Sequence, residues 1–240
     1  MVTTRLSLPR LQGAAELLDR SGHSDEEIRE NLHDLERLNR YFGGVRTVLV
    51  HLSRMVGEHS QSPITILDIA TGGADIPRAI CRWARKRKLA VAIEAVDRND
   101  QVLAVATEWS IDFPEIQLRQ VQAPPLPYPD HSFDYVIASL FFHHLNEAEG
   151  TLLLREMARV ARRGLLVNDL FRSRLACLLT AMTTRLLSGN RLTRHDGPMS
   201  VLRGFRPEEL RRMATEAGLA NVRLRRLPWF RIALTNEIAT

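Results

Sequence analysis

The stretch ITILDIATGGADIPRAI, residues 64–80, sets an apolar run ending near Asp68 before a turn that holds Gly72 and Gly73, and a helix-forming segment follows. Strand, tight turn and helix in that order make a nucleotide cradle, because glycine lacks a Cβ, lets a ligand approach its backbone and takes positive φ without steric cost. The next apolar run, IEAVD, ends in Asp97, whose carboxylate can accept hydrogen bonds from both hydroxyls of a ribose. Two adjacent glycines also serve as a plain loop, and Asp97 could be a solvated acid at the start of the next helix. The succession of turn and strand-end acid is what points to a nucleoside ligand.

A second group could move protons. Ser139-Leu140-Phe141-Phe142-His143-His144 combines aromatic surface with two imidazoles, the side chain best poised to take a proton near neutral pH. Asn168-Asp169 is followed by Phe171 and Arg172; Asp169 could orient a histidine or an acceptor, and Arg172 could steady a phenolate or carboxylate. His195 and Asp196 offer a further base and carboxylate. The candidates for catalysis are therefore His143, His144, His195 and Asp169, and those for contact with an acceptor are Phe142, His144, Arg172 and His195. Each also has a plain structural role open to it: a histidine can cap the helix opening near Asn146, Asp169 can cap one opening near Ser173, and His195-Asp196 can be a polar turn.

Short β-branched runs alternating with helical segments have to position these groups. Runs at 64–69, 90–96, 115–119, 133–139 and 164–168, with helical stretches at 76–88, 100–111 and 147–162, are the pattern of a parallel sheet covered on both faces. Ligands of such sheets bind beyond the carboxyl ends of the strands, where both groups of candidates fall. Before the sheet, Ile28, Leu32, Leu35 and Leu38 recur at helical spacing after a Ser24/Glu27 capping pair, Gly43-Gly44 ends that helix, and a second spans 45–58. Residues 1–60 thus form a helical cap and 61–240 the main domain. Residues 171–206 show no strand signal and read as a lid, with a helix over 173–187 and a loop carrying His195, Asp196, Gly197 and Pro198. Pro207 opens a short helix that ends at Gly218, and runs at 222–224 and 230–234 can close the sheet as an antiparallel pair.

Composition narrows the class. In 240 residues, 45% hydrophobic and 25% charged, the chain can bury a sizeable core. No apolar stretch approaches the roughly 18 residues of a spanning helix, and no basic segment followed by an apolar run opens the chain, so a cytoplasmic protein without membrane insertion is expected. The cysteines, Cys81 and Cys177, lack metal-ligand spacing, and no metal is expected. The net charge of +5 comes mostly from arginines scattered over helix faces; the dense run from Arg82 to Lys88 falls at a helix end, where cations complement the dipole.

With these residues in place, the Asp68–Asp75 turn, the Asp97 strand end and LPYPDHSFDYVIASLFFHHL resemble the class I S-adenosylmethionine-dependent methyltransferases, especially the branch with the ubiquinone and menaquinone C-methyltransferases. The likeness covers roughly residues 60–170 and rests on three ordered motifs. It implies a Rossmann-like α/β fold with a seven-stranded sheet and S-adenosylmethionine as cofactor. It places Asp68, Ala70, Gly72, Gly73 and Asp75 around the methionine part, and Asp97 and Arg98 at the ribose and adenine edge. Gln122, with Ala123 beside it, stands where an adenine-contacting Asp is usual, and Ser139 closes the set at the end of strand four. Ala70 replaces the family's first glycine, tolerable if its φ stays negative.

Methyl transfer from a sulfonium is an in-line displacement, so the protein must align the reactants, exclude water and remove a proton where the acceptor needs it. The helical additions favour a small organic acceptor, with O-methylation of a phenol, enol or hydroxyquinone in specialised, polyketide-like metabolism ahead of C-methylation of a quinone-type substrate. A non-catalytic S-adenosylmethionine-binding regulatory or partner-binding protein is the alternative of another class, and a homodimer is open. A dinucleotide enzyme would want GxGxxG where this turn reads ATGGAD, and Asp68 suits a cationic ligand better than a pyrophosphate. A nucleic-acid amino methyltransferase would carry Asn or Asp before Pro-Pro-aromatic where this chain has Ser-Leu-Phe-Phe, and neither cysteine is placed as a cytosine-C5 nucleophile, so nucleic acid is not the expected substrate.

Overall fold

The computed structural model describes residues 8–13, 16–20, 22–57 and 63–238. Two helices, α1 (Asp25–Tyr41) and α2 (Gly44–Val56), precede β1 (Ile64–Ile69), α3 (Asp75–Lys86), β2 (Val91–Asp97), α4 (Asp100–Trp109), β3 (Ile116–Gln120) and β4 (Phe133–Ser139). A 3-10 turn, Phe142–His144, leads into α5 (Glu147–Val160) and β5 (Ala161–Leu170). Then come α6 (Arg174–Leu187), α7 (Arg191–Arg203), α8 (Pro207–Glu216), β6 (Val222–Leu227) and β7 (Arg231–Glu237). The single sheet runs β3-β2-β1-β4-β5-β7-β6, and β7 is antiparallel to both of its neighbours. This is the expected Rossmann-like seven-stranded α/β fold.

Alternation along each central strand divides the core. Ile66, Ile93, Tyr135, Ile137 and Leu166 meet Val48 and Leu52 of α2 and Ile76 and Ile80 of α3 on one face. On the other, Leu67, Ile69, Val136, Leu165 and Val167 meet Leu153 and Met157 of α5 and Leu210 and Met213 of α8. A strand buried on both faces has to be apolar on both, which is why these runs stood out in the sequence. Strand order reverses between β1 and β4, so the crevice opens at their carboxyl ends.

The helix starts are capped as their side chains allow. Ser24, Asn99, Asn146 and Ser173 each accept a first-turn N–H, and Asn146 and Glu149 complete a capping box at α5. Glu27, expected to fold back in a box with Ser24, pairs instead with Arg191 of α7, at 3.1 Å from Nη2. Because Ser173 caps α6, Asp169 is left free for another role.

Three elements differ from the sequence expectation. Residues 195–198, read as a loop, lie inside α7: a Cβ on Gly197 would stand 2.7 Å from Thr184 Cγ2, so glycine there permits close packing of α7 on α6 and is not a turn signal. Strand β5 begins at Ala161, inside the segment assigned to the preceding helix, because Phe133 of β4 pairs with Ala161. Strand β7 extends to Glu237, and its polar Thr235 and Asn236 are buried by pairing on both sides.

Candidate active site

A cavity of about 1000 Å³ lies over the carboxyl ends of β1, β2 and β4. Its floor is the β1–α3 turn and the β2 end; its roof is residues 16–20, α1, α6, Ser200 of α7 and the Trp229-Phe230 turn between β6 and β7.

The turn is built from the backbone outward. Ala70, Gly72 and Ala74 all take positive φ, 55°, 55° and 57°, so Ala70 is left-handed and not in the negative-φ conformation expected of it. Thr71 N–H donates to Val96 O and Gly72 N–H to Asp97 Oδ2, tying the turn to β2. A Cβ on Gly72 would meet only Leu32 Cδ2, at an ordinary contact distance of 4.0 Å, while a Cβ on Gly73 would meet the Trp109 ring at 3.1 Å. Gly72 therefore keeps the clearance for a ligand, and Gly73 is required by packing against α4.

Three carboxyls face this floor. Asp68 is 2% exposed and its Oδ1 has no hydrogen-bond partner. Burial, reinforced by Asp75 and Asp97, pushes its carboxyl up to about 7. Burial likewise raises Asp75 to about 6, although Asn39 Nδ2 donates to its Oδ2 at 3.0 Å. Asp97 is also raised, chiefly by burial, against the bonds it accepts from the backbone of Asn99 and Gly72. Buried acids with spare acceptor capacity invite a cation and hydroxyl donors.

Ala123 and Gln122 line the cavity beyond the β3 end, as does Ser139, whose Oγ accepts from Asn168 Nδ2 at 2.8 Å. Arg98 lines it too, with its guanidinium 2.6 Å from Asp19 of the roof.

The histidines separate by environment. His143, 3% exposed, has Nδ1 at 2.8 Å from Asp169 Oδ1 and Nε2 at 3.4 Å from Glu16. Burial disfavours its charge, but Asp169 and Glu16 outweigh that and hold it an imidazolium well above the ordinary imidazole range. Asp169 also accepts the His143 backbone N–H and sits behind the ring, outside the cavity lining. His144 lines the cavity with a 23% exposed side chain, Nδ1 at 3.2 Å from Asp19 and Nε2 at 3.6 Å from Glu16. One ligand atom each of Glu16, His143 and His144 lies within 4.8 Å of the others, the one such grouping among the described residues able to hold a metal ion.

Three expected acceptor contacts lie away from the cavity lining. Phe142 is 1% exposed in the core beside Leu153 and Met213. Arg172 is consumed by Glu209 at 2.7 Å and by the carbonyls of Leu8 and Gly204, which fasten α8 and the N-terminal segment. His195, 41% exposed, faces Asp196 at 2.7 Å, and the Asp196 carboxylate accepts the N–H groups of Leu17 and Leu18. That pair clamps the roof.

The sequence reading missed Glu16, Asp19, Asn39 and Arg231. Arg231, 3% exposed, lines the cavity; it donates to Phe42 O and Asn39 Oδ1 and leaves Nη1 without a partner. Burial lowers its guanidinium to about 10. A lone arginine opening a strand gives no signal of this.

The comparisons with known proteins agree with that geometry. Residues 67–167 match the family model described as a methyltransferase domain. Over those residues the chain is similar to the class I methyltransferase domains of the type 11 branch. The chain is 34% identical over 100 residues to the ubiquinone/menaquinone biosynthesis C-methyltransferase of Rickettsia akari and 32% identical over 100 residues to that of Rickettsia bellii; each match covers 40% of both chains. This chain therefore spans about 40% of the length of these curated relatives. Among solved structures, the fold is similar to a SAM-dependent methyltransferase from Aquifex aeolicus, with TM-score 0.63, 17% identity and coverage of 91% of this chain and all (100%) of that one. It is also similar to human N-acetylserotonin methyltransferase in complex with SAM, with TM-score 0.64, 17% identity and coverage of 90% and 57%.

S-adenosylmethionine is the cofactor of this methyltransferase family, and the domain's residues fit it. The unpartnered Asp68 Oδ1 and the part-buried Asp75 suit a cationic amino-acid end, the uncrowded Gly72 backbone allows close approach, and Asp97 can still accept from a ribose diol.

Proposed function

We propose that this chain transfers the methyl group of S-adenosylmethionine to a small organic acceptor that reacts as an oxyanion, a phenol, enol or hydroxyquinone. The observation that carries the reading is the pairing, in one cavity, of a histidine with a carboxylate behind it and a buried guanidinium nitrogen with nothing to bond. His144 lines the cavity with Nδ1 3.2 Å from Asp19 and Nε2 3.6 Å from Glu16, so carboxylates stand at hand to orient the ring. His144 accepts the proton of the acceptor's hydroxyl. Arg231 Nη1 donates to the resulting oxyanion, whose charge is worth more in a site from which water is excluded. His143, already an imidazolium between Asp169 and Glu16, cannot take a proton; it fixes Glu16 and the 3-10 turn under the roof.

When bound, S-adenosylmethionine supplies the electrophilic methyl group. The residues Asp68, Asp75, Asp97, Gln122 and Ser139 hold and orient it, and the acid-lined floor leaves the rest of the cavity to the acceptor. O-methylation is the first reading. The relatives in Rickettsia are named as C-methyltransferases, which favours C-methylation as a second one, since a phenolate or enolate presents carbon as well as oxygen. Incubation with methyl-labelled cofactor and a panel of phenols and hydroxyquinones, read by NMR of the product, tests both. A labelled O-CH3 or C-CH3 product decides between them; tight cofactor binding with no product from any acceptor speaks for a non-catalytic binding protein.

A further inference from the structure

Two imidazoles turn the same ring nitrogen toward one buried carboxylate. His143 Nε2 stands 3.4 Å from Glu16 Oε1 and His144 Nε2 stands 3.6 Å from Glu16 Oε2. One ligand atom from each of the three residues lies within 4.8 Å of the others. Zinc bonds to imidazole nitrogen and carboxylate oxygen are about 2.0–2.2 Å long, so neighbouring ligands of a tetrahedral site stand about 3.4 Å apart. Both histidine–glutamate separations are already close to that spacing. Behind each ring lies a further carboxylate: His143 Nδ1 is 2.8 Å from Asp169 Oδ1, and His144 Nδ1 is 3.2 Å from Asp19 Oδ2. A metal on Nε2 leaves the Nδ1 proton to such a group, the arrangement that orients most ligating histidines. Glu16, 5% exposed, is itself held by Ser200 Oγ, which donates to its Oε1 at 2.8 Å. Fastening the roof to the 3-10 turn needs only one of these contacts; the convergence of two Nε2 atoms on one acid, each ring backed by another, is the pattern of a metal site.

We propose that Glu16, His143 and His144 bind a divalent first-row transition metal ion, with zinc as the probe, in the wall of the acceptor space. Two imidazoles and a carboxylate suit such an ion, whereas magnesium and calcium favour oxygen ligands alone. On entry of the ion, each coordinating Nε2 gives any proton it carries to solvent. All three residues line the cavity, so a fourth position opens toward it. An ion bonded to His144 Nε2 also takes the lone pair that accepts the proton of the acceptor's hydroxyl, and zinc therefore inhibits methyl transfer. The binding stands on the geometry alone. The inhibition rests on the methyl-transfer reading.

The test is equilibrium dialysis of the full chain against zinc, with the bound metal counted by elemental analysis, and titration with cobalt, whose visible absorption reports ligand number and geometry. One ion per chain is expected, not displaced by magnesium, with a cobalt spectrum of a four- or five-coordinate site. Asp19→Asn, which removes only an outer carboxylate, should weaken zinc by about tenfold or more. Glu16→Gln and His144→Gln, which remove ligands, should weaken it further, and His195→Gln should leave it unchanged. Circular dichroism checks each fold; where Glu16→Gln unfolds, His144→Gln, at a partly exposed ring, carries the test. Absence of stoichiometric zinc, or zinc held equally well by Glu16→Gln and His144→Gln, overturns the site. For the second half, zinc should lower turnover of a methylated acceptor in proportion to occupancy, and a chelator should restore it. Turnover unchanged or raised by zinc overturns the inhibition, while failure to methylate any acceptor, with zinc binding intact, falls on the methyl-transfer reading.

Discussion

Cofactor affinity should depend on pH through the floor of the cavity. Asp68, buried and pushed up to about 7, and Asp75, pushed up to about 6, are partly protonated in the unliganded protein near neutrality. A cationic ligand binds their ionised forms, so the apparent dissociation constant scales as one plus the ratio of protonated to ionised carboxyl for each group. Between pH 6 and pH 8 that factor changes by about tenfold for Asp68 and about twofold for Asp75, together about twentyfold, with tighter binding at the higher pH. Calorimetric titration with S-adenosylmethionine at half-unit intervals reads it. Asp68→Asn removes the larger contribution and should leave about a twofold slope plus whatever the ligand's own amino group contributes, which the two proteins share. The sign for stability is opposite: a carboxyl whose pKa is raised on folding binds more protons in the native than in the unfolded state. The unliganded protein should therefore lose stability as pH rises from about 4 through 7, and the thermal shift given by the cofactor should grow over the same window. A wild-type affinity that does not tighten relative to Asp68→Asn from pH 6 to pH 8 refutes the reasoning.

Ala70 sits at φ 55°, a conformation costing an alanine about 1–2 kcal/mol, against which glycine loses about 0.5–1 kcal/mol of backbone entropy. Ala70→Gly should therefore raise the thermal midpoint by about 1–2 °C, and a fall would show that the turn is not strained. Gly197→Ala places a Cβ 2.7 Å from Thr184 Cγ2 and should cost about 1–3 kcal/mol in denaturant unfolding as α6 and α7 separate. His144→Gln should lower kcat by about a hundredfold or more while His195→Gln, whose ring is off the cavity, leaves it within about twofold; equal losses would contradict the assignment of the proton acceptor. Arg231→Met should reduce kcat/KM by about ten- to a hundredfold, most for acceptors with an acidic hydroxyl, without weakening S-adenosylmethionine in calorimetry.

Strand β1 and its turn were legible in the sequence because a strand buried on both faces must be continuously apolar and a left-handed backbone calls for small residues. Strand β7 was legible only in part. The apolar run ends at Leu234, yet Thr235 and Asn236 continue the strand and are buried between β5 and β6, where pairing and not side-chain polarity decides. Gly197-Pro198 read as a loop because both residues break helices locally, while the close approach of α6 that keeps them helical is tertiary. His143 and His144 stood out as a pair, but what separates them is their contact with Glu16 and Asp19, which lie more than 120 positions away and come back over the site through Asp196 and the two imidazoles. Arg172 and Arg231 are the same residue type; Glu209 takes the first out of the site, while among the described residues no hydrogen-bond partner meets the second's Nη1. No local pattern distinguishes them.

The most direct test of the central claim is calorimetric titration of the protein with S-adenosylmethionine and, separately, with NADH, repeated for Asp97→Asn. Saturable binding of S-adenosylmethionine that weakens by about tenfold in Asp97→Asn, with no binding of NADH, is the expected result, since the substitution removes one of the carboxylate oxygens that can meet the ribose hydroxyls. Absence of S-adenosylmethionine binding, or a preference for NADH, would contradict it.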